Sequence, residues 1–236
     1  IFLNTVRASG SNGADIDGKA SVQLALHCIG EIGCTRDLSG HSGLSDAVLE
    51  AIQSKADEVR SAAAFCMGSM SVGNMKAFVP QVLSALGKGN SQYQLLTSIK
   101  EMVSRHVSNR ALSFDPYMSA VLPVLQNSAV HEEEAVRNMV AECFGELSAL
   151  NSNVVLPVLE AMTKSDNASA RWTAMSSLKY AVANPDTRAG LDGRMETYLQ
   201  LLNDKDLNVK RAALLSLNSV IHHQSGLVRS SLDSIT

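Results

Sequence analysis

The four cysteines are the side chains of this 236-residue chain with the most reactive chemistry, as nucleophiles, metal ligands or disulfide partners. Cys28, Cys66 and Cys143 fall at the same position of three helical patterns that lie about one repeat apart. That separation is too large for a shared metal ion or a disulfide. We interpret these three as small buried hydrophobic residues in a reducing compartment and leave the role of Cys34 open.

Two further segments carry residue types that bind ligands in other proteins. Residues 68–75 (GSMSVGNM) have the glycine spacing of a phosphate-binding loop. They lack its Lys-Ser/Thr pair and end a helix, where that loop would have to follow a strand. Gly73 fits better as a helix C-cap, because glycine tolerates the left-handed conformation. His222 and His223 follow the last helical pattern, where they could bind a metal ion or interact with the final helix carbonyls.

The remaining polar residues do not form a catalytic set. No Ser/His/Asp or Cys/His combination falls within one repeat, as nucleophilic catalysis would need. The acidic run at residues 132–134 precedes a helix whose N-terminal dipole it favours. We therefore expect a protein without enzyme activity, cofactor, metal ion or small-molecule substrate.

The composition bears on the class of partner. The formal net charge is −3 and only 4% of the residues are aromatic, so neither phosphate attraction nor base stacking is favoured. The longest apolar runs are too short to cross a bilayer, and no secretory signal opens the chain. We expect a cytoplasmic or nuclear protein that binds neither nucleic acid nor a membrane.

The apolar residues repeat with the period of an amphipathic helix at near-constant intervals along the chain. If the first residue of each copy is position i, buried residues are expected at i+3, i+4, i+7, i+8 and i+11. The copies start near Ser21, Val59, Leu95, Val136, Ala170 and Val209. The starts are 34 to 41 residues apart, close to the roughly 40-residue period of HEAT and armadillo repeats.

A second kind of helical segment lies between these copies and contains a proline in three repeats. Pro80, Pro123 and Pro157 are flanked by apolar residues on both sides, which favours positions inside a bent helix over the first position of one. Each repeat then has a proline-containing first helix and a straighter second helix. The sequence predicts an all-α, HEAT/armadillo-type superhelix of about six repeats, with residues 1–236 as one continuous solenoid truncated at both ends.

Position i+1 of the second helices is mostly cationic and is the candidate protein-binding site. We call this set the i+1 column: Val22, Arg60, Leu96, Arg137, Arg171 and Lys210, with Arg211 beside the last. On a HEAT array this column would follow the inner ridge. Its cations could contact a partner, or each could bond a polar group of the next repeat, a role that Asp204 suits. Trp172, at i+2, fits packing between repeats better than a binding hot spot.

Five stretches resemble the cullin-associated, neddylation-dissociated proteins, the exchange factors of cullin–RING ubiquitin ligases. They are residues 37–40 (DLSG), 61–74 (SAAAFCMGSMSVGN), 98–101 (SIKE), 137–145 (RNMVAECFG) and 206–213 (DLNVKRAA). The stretches occur in the family's order across most of the chain. The resemblance implies a segment of the C-terminal third of a long HEAT superhelix.

The same resemblance implies a function and a partner. Family members wrap an unmodified cullin–RING pair, and their C-terminal repeats exclude the substrate adaptor from the cullin. We therefore expect a protein-binding scaffold whose partner is a cullin–RING complex. The alternative is a HEAT scaffold of another pathway, such as a nuclear transport receptor or a phosphatase scaffold subunit.

Overall fold

The computed structural model describes residues 2–8, 16–89, 91–108 and 113–229, and every regular element within them is helical. The six second helices predicted from the repeat are present. They are α2 (Ile16–Thr35), α4 (Asp57–Gly73), α6 (Gln92–Ser108), α8 (Glu134–Leu150), α10 (Ala168–Ala181) and α13 (Leu207–Gln224). The all-α HEAT-type fold is confirmed, with 81% of the chain in helices.

Five of the six second helices follow a shorter first helix. The first helices are α1 (Phe2–Ala8), α3 (Leu44–Ala51), α5 (Met75–Leu86), α7 (Asp115–Ser128) and α9 (Ser152–Thr163). In the sixth repeat short pieces replace this helix: 3₁₀ turns at Pro185–Thr187 and Gln200–Asn203, with α11 (Arg188–Leu191) and α12 (Met195–Leu199). A last short helix, α14 (Gly226–Arg229), follows α13.

The chain forms two compact units, unit 1 (Ile1–Ala111) and unit 2 (Leu112–Thr236). In unit 1 the second helices stack in the order α2, α4, α6, and in unit 2 in the order α8, α10, α13. Stacking of neighbouring repeats is what gives such helix pairs a shared core, since one pair alone cannot bury its apolar face. That both units belong to one continuous solenoid stays a prediction.

Three first helices contain a proline, as the sequence predicts. Pro80, Pro123 and Pro157 lie inside α5, α7 and α9, several residues after each helix begins. The alternative that they mark helix starts is therefore wrong. A proline does occupy the start of α7, and this is Pro116.

The predicted core positions are buried in the four central second helices. In α4, α6, α8 and α10, all six positions from i to i+11 are at most 8% exposed. Stacking buries a further stripe at i+5 and i+12, where Met175 of α10 and Val182, the C-cap of that helix, are 2% and 1% exposed. On α13 the equivalent Leu214 and Ile221 are 62% and 52% exposed, because no described helix packs on that side.

The register predicted for the second helix that begins near Ser21 was wrong by one residue. The predicted core residues Leu24 and Ile32 are 63% and 43% exposed, whereas Val22 and Leu26 are 3% and 0% exposed. The pattern in α2 therefore starts at Val22. Cys28 consequently leaves the buried position that it was predicted to share with Cys66 and Cys143, and it is only half-buried.

Glycines explain why the sequence pattern concealed this register. Gly30 and Gly33 occupy buried core positions of α2 without presenting an apolar side chain. A Cβ added to Gly33 would lie 2.6 Å from the Cβ of Met70 on α4. The two helices thus touch through backbone that a count of hydrophobic side chains does not register.

Candidate partner-binding surface

Three arginines of the i+1 column make the same contact in three repeats. Each lies in the first turn of its second helix and donates from Nη1 to the carbonyls six and five residues earlier. The distances are 2.9 and 3.3 Å for Arg60, 2.6 and 2.8 Å for Arg137, and 2.8 and 3.0 Å for Arg171. The guanidinium therefore satisfies loop carbonyls between the first and second helices, which the sequence interpretation did not foresee.

Arg171 also carries the ladder contact that the sequence allowed. Its Nε and Nη2 donate to Oδ2 and Oδ1 of Asp204 at 2.7 and 2.9 Å, a bidentate pair between consecutive repeats. Both side chains are only 6% exposed. The hydrogen bond from the guanidinium lowers the pKa of Asp204, and the same bond raises the pKa of Arg171. At this step of the column the structural alternative holds.

Arg137 and Arg60 of the i+1 column also have partners within the chain. The Arg137 guanidinium lies 5.1 Å from the ring centroid of Trp172, on the next second helix. Trp172 thus takes part in packing between repeats, as the sequence favoured. Arg60 pairs with Asp57 on its own helix. In α6 the i+1 position is Leu96, which is completely buried.

Lys210 and Arg211 are the members of the candidate site whose charge stays available. Lys210 is half-buried and Arg211 is exposed on α13. Neither side chain forms an ion pair within the part of the chain that the structure describes. No acidic residue occurs among the 18 residues of α13, so the helix presents a purely basic charge. Lys210 and Arg211 therefore remain the candidates for contact with a partner.

The cysteines divide into two buried and two half-buried thiols. Cys66 and Cys143 are fully buried, and burial raises the pKa of Cys66 to about 12. Cys28 and Cys34 are half-buried, and all four are free thiols. The Sγ of Cys34 lies 3.8 Å from Nη1 of Arg105. Within the described ranges, no group of three or more His, Cys, Asp or Glu side chains could hold a metal ion.

The segment with phosphate-loop spacing serves helix packing. A Cβ added to Gly68 would lie 2.5 Å from the backbone oxygen of Ser98, so this glycine lets α4 touch α6. Gly73 ends α4 without a positive φ, so its predicted left-handed C-cap conformation was wrong. Its Cβ would lie 2.1 Å from the backbone oxygen of Gly33, and that close approach is what requires glycine there.

His222 and His223 lie inside the last turn of α13, which extends past the point where the sequence predicted its end. Both are exposed, and their ring centroids are 5.0 Å apart in an edge-to-face arrangement.

A cluster on the second helices of unit 1 was missed by the sequence interpretation. Arg105 of α6 donates to Glu31 of α2 at 2.5 Å and to Glu101 of its own helix at 2.7 Å. Its guanidinium lies 5.3 Å from the ring centroid of Phe65 on α4. Arg105 and Glu31 are 74 residues apart, and nothing in the repeat pattern connects them.

The chain is similar to curated proteins across most of its length. It is 33% identical over 219 residues to cullin-associated NEDD8-dissociated protein 1 of Arabidopsis thaliana and 32% identical over 216 residues to that of Dictyostelium discoideum. These alignments cover 92% and 89% of the chain. The chain belongs to the cullin-associated NEDD8-dissociated protein family. It spans only 18% and 17% of the length of these two relatives.

A fungal relative shows the same level of similarity. The chain is 32% identical over 187 residues to an Emericella nidulans protein described as the C-terminal part of cullin-associated NEDD8-dissociated protein 1. This alignment covers 74% of the chain and 17% of the relative. The placement in the C-terminal third of the family's length stays a prediction.

Similarity to solved structures supports the fold. A chain from the structure of Kap95p with RanGDP superposes with a TM-score of 0.61 at 16% identity, covering 96% of this chain and 31% of that one. At that identity the match shows a shared helical-repeat architecture and nothing about partners. No protein-family model matches the chain. None of the described helices is long and apolar enough to cross a membrane.

Proposed function

We propose that the chain is a protein-binding scaffold segment that engages a cullin–RING complex and regulates its ubiquitin ligase by competing with substrate adaptors. The observation that carries the proposal is its similarity to relatives named as cullin-associated proteins, at 30–33% identity over about 90% of the chain. The fold supports a binding role, since stacked repeats present a long row of helices to a partner. The polar clusters described above serve packing, which supports a function without catalysis.

The residues proposed for partner contact are narrower than the whole cationic column. Loop carbonyls accept hydrogen bonds from the guanidinium groups of Arg60, Arg137 and Arg171, and Arg171 also pairs with Asp204. Charge reversal at those sites would disturb the fold and the surface together. Lys210 and Arg211 can be changed without breaking a described ion pair, so they give the cleaner test of partner contact.

The first experiment is a calorimetric titration of an unmodified cullin–RING complex with this chain. We expect saturable binding that weakens when a substrate adaptor is added, and that weakens when the cullin carries the ubiquitin-like modifier. If adding a substrate adaptor did not weaken binding, the proposed competition between this chain and the adaptor would be wrong. Absence of binding would reject the cullin partner and favour a HEAT scaffold of another pathway.

The second experiment tests the basic surface of α13. We expect Lys210→Glu with Arg211→Glu to weaken cullin binding at least about tenfold. The two substitutions place negative charges where positive charges are proposed to face an acidic surface of the partner. The matched control is Lys55→Glu with Lys88→Glu, which reverses two exposed lysines of unit 1. Equal weakening by both variants would point to net charge alone, and unaltered binding by the first would remove Lys210 and Arg211 from the site.

A further inference from the structure

The Arg105 cluster joins helices that are not neighbours in the stack. In unit 1, α4 packs between α2 and α6, yet Arg105 of α6 reaches Glu31 of α2. The contact uses Nη2 to Oε1 at 2.5 Å and Nη1 to Oε2 at 3.3 Å. Arg105 can reach across α4 only where the exposed edges of α2 and α6 lie close together. The contact therefore depends on the local curvature of this face.

The middle helix is shaped to let the arginine cross it. Arg105 passes over the ring of Phe65, whose other neighbour is the His27 ring of α2 at 5.1 Å. One turn along α4 stands Ser69, a small residue that is completely buried and donates to Glu101 at 3.2 Å. Ser69 therefore contacts the carboxylate that also accepts from Arg105.

The guanidinium is held from two sides. Glu101, one turn earlier on α6, accepts from Nε at 2.7 Å, in a bond that lies within one helix and does not join α6 to α2. Glu31 is 58% exposed, whereas Arg105 and Glu101 are 27% and 21% exposed. The bond within α6 is therefore the sheltered one, and the bond that crosses the helices is the one that salt and solvent reach.

We propose that the contact between Arg105 and Glu31 is a salt-sensitive latch that sets the curvature of the second-helix face of unit 1. With the latch closed, the edges of α2 and α6 stay close together. When it opens, the two helices lose a direct connection, and only their separate packing against α4 fixes the angle between them. The inference concerns the chain itself and does not depend on the identity of its partner.

The test measures the distance between the two outer helices in the whole chain. Thr35 at the end of α2 and Ser108 at the end of α6 are exposed, so cysteines placed there accept nitroxide labels. Cys28 and Cys34 are replaced by serine in the parent and in every variant, so the changed contact between residue 34 and Arg105 is common to all of them. Cys66 and Cys143 are fully buried and stay. Double electron–electron resonance then gives the distribution of distances between the labels.

Two matched variants separate the latch from the rest of the cluster. Glu31→Gln removes the carboxylate across the helices, and Glu101→Gln removes the carboxylate within α6. We expect Glu31→Gln to lengthen the mean distance by about 2 Å, the scale of shifts between packed helices, and to broaden the distribution. Glu101→Gln should leave the mean within the parent distribution. Equal effects of the two variants, or no effect of Glu31→Gln, would overturn the proposal.

Ionic strength provides an independent arm. Raising salt from about 0.1 to 1 M shortens the screening length from about 10 to 3 Å, which weakens an exposed ion pair. The parent distribution should approach that of Glu31→Gln at high salt, and the Glu31→Gln distribution should not move. A parent distribution that is the same at both salt concentrations would reject the salt-sensitive latch. Circular dichroism of every variant must show the parent helical content.

Discussion

The two units use arginine to join repeats in opposite ways. In unit 2 the pair between Arg171 and Asp204 links consecutive repeats at the base of the second helices, with both side chains 6% exposed. In unit 1 the pair between Arg105 and Glu31 passes over a whole helix, and its carboxylate is 58% exposed. The first contact joins adjacent repeats and is shielded from water, whereas the second reaches across an intervening helix and is exposed to water.

The difference in burial predicts that the two ion pairs contribute differently to stability and to curvature. A buried ion pair contributes little net energy when it forms, but the loss of one partner is costly because the other charge stays buried. An exposed pair costs little to break, since water replaces the lost partner. We therefore expect the contact in unit 2 to fix how one repeat follows another, and the contact in unit 1 to fix curvature with little effect on stability.

The largest expected effect is that of Asp204→Ala. This change leaves the Arg171 guanidinium buried beside two loop carbonyls with no anion, and should lower the free energy of unfolding by about 3 kcal/mol. Urea unfolding followed by circular dichroism measures the loss. Asp192→Ala, which removes an exposed carboxylate from the same unit, is the control. A loss below about 1 kcal/mol would make the buried pair no different from the exposed one.

The ion pair of unit 2 could be predicted from the sequence, because the repeat period brings its two residues close together. Asp204 stands five residues before Val209, and the repeat period alone places it beside the preceding second helix. The pair with Arg171 was therefore available as the structural alternative for the i+1 column. The six second helices and the buried stripe of α4 and α8 followed from the same periodicity, because their core positions carry apolar side chains.

Other parts could not be predicted, because they depend on backbone contact and on curvature. Gly33 is a core residue of α2 that packs against Met70 without an apolar side chain, so the register predicted from apolar residues was wrong by one residue. The reach of Arg105 to Glu31 depends on the angle between stacked helices. A periodicity fixes which face of each helix is buried and leaves that angle open.

A smaller effect concerns the pH dependence of unit 2. The pKa of Asp204 is lowered in the folded chain by the hydrogen bond from Arg171. A carboxyl with a lowered folded pKa stabilises the fold at pH values above its unfolded pKa, about 3.9, and that stability is lost as the pH falls further. We expect the free energy of unfolding of the parent to fall more steeply below about pH 4 than that of Asp204→Asn.

The comparison with Asp204→Asn isolates this one carboxyl. Asp37 and Asp115 also have a lowered pKa, Asp37 from Ser39 and Asp115 from Asn151. Both are present in the parent and in the variant, so their contributions cancel when the two unfolding curves are subtracted. Parallel curves from pH 7 to pH 3 would show that Asp204 titrates alike in the folded and unfolded chain.

The smallest expected effect is that of Glu31→Gln on stability. The lost pair is mostly exposed, so the free energy of unfolding should fall by less than about 1 kcal/mol, and by less still in high salt. The measurement is the same urea titration used for Asp204→Ala. A loss as large as that of Asp204→Ala would mean that Arg105 holds unit 1 together. A small loss, combined with a longer distance between α2 and α6, requires that the two arginines differ in kind: one sustains the stacking of repeats, and the other selects among curvatures that the stacked helices already permit.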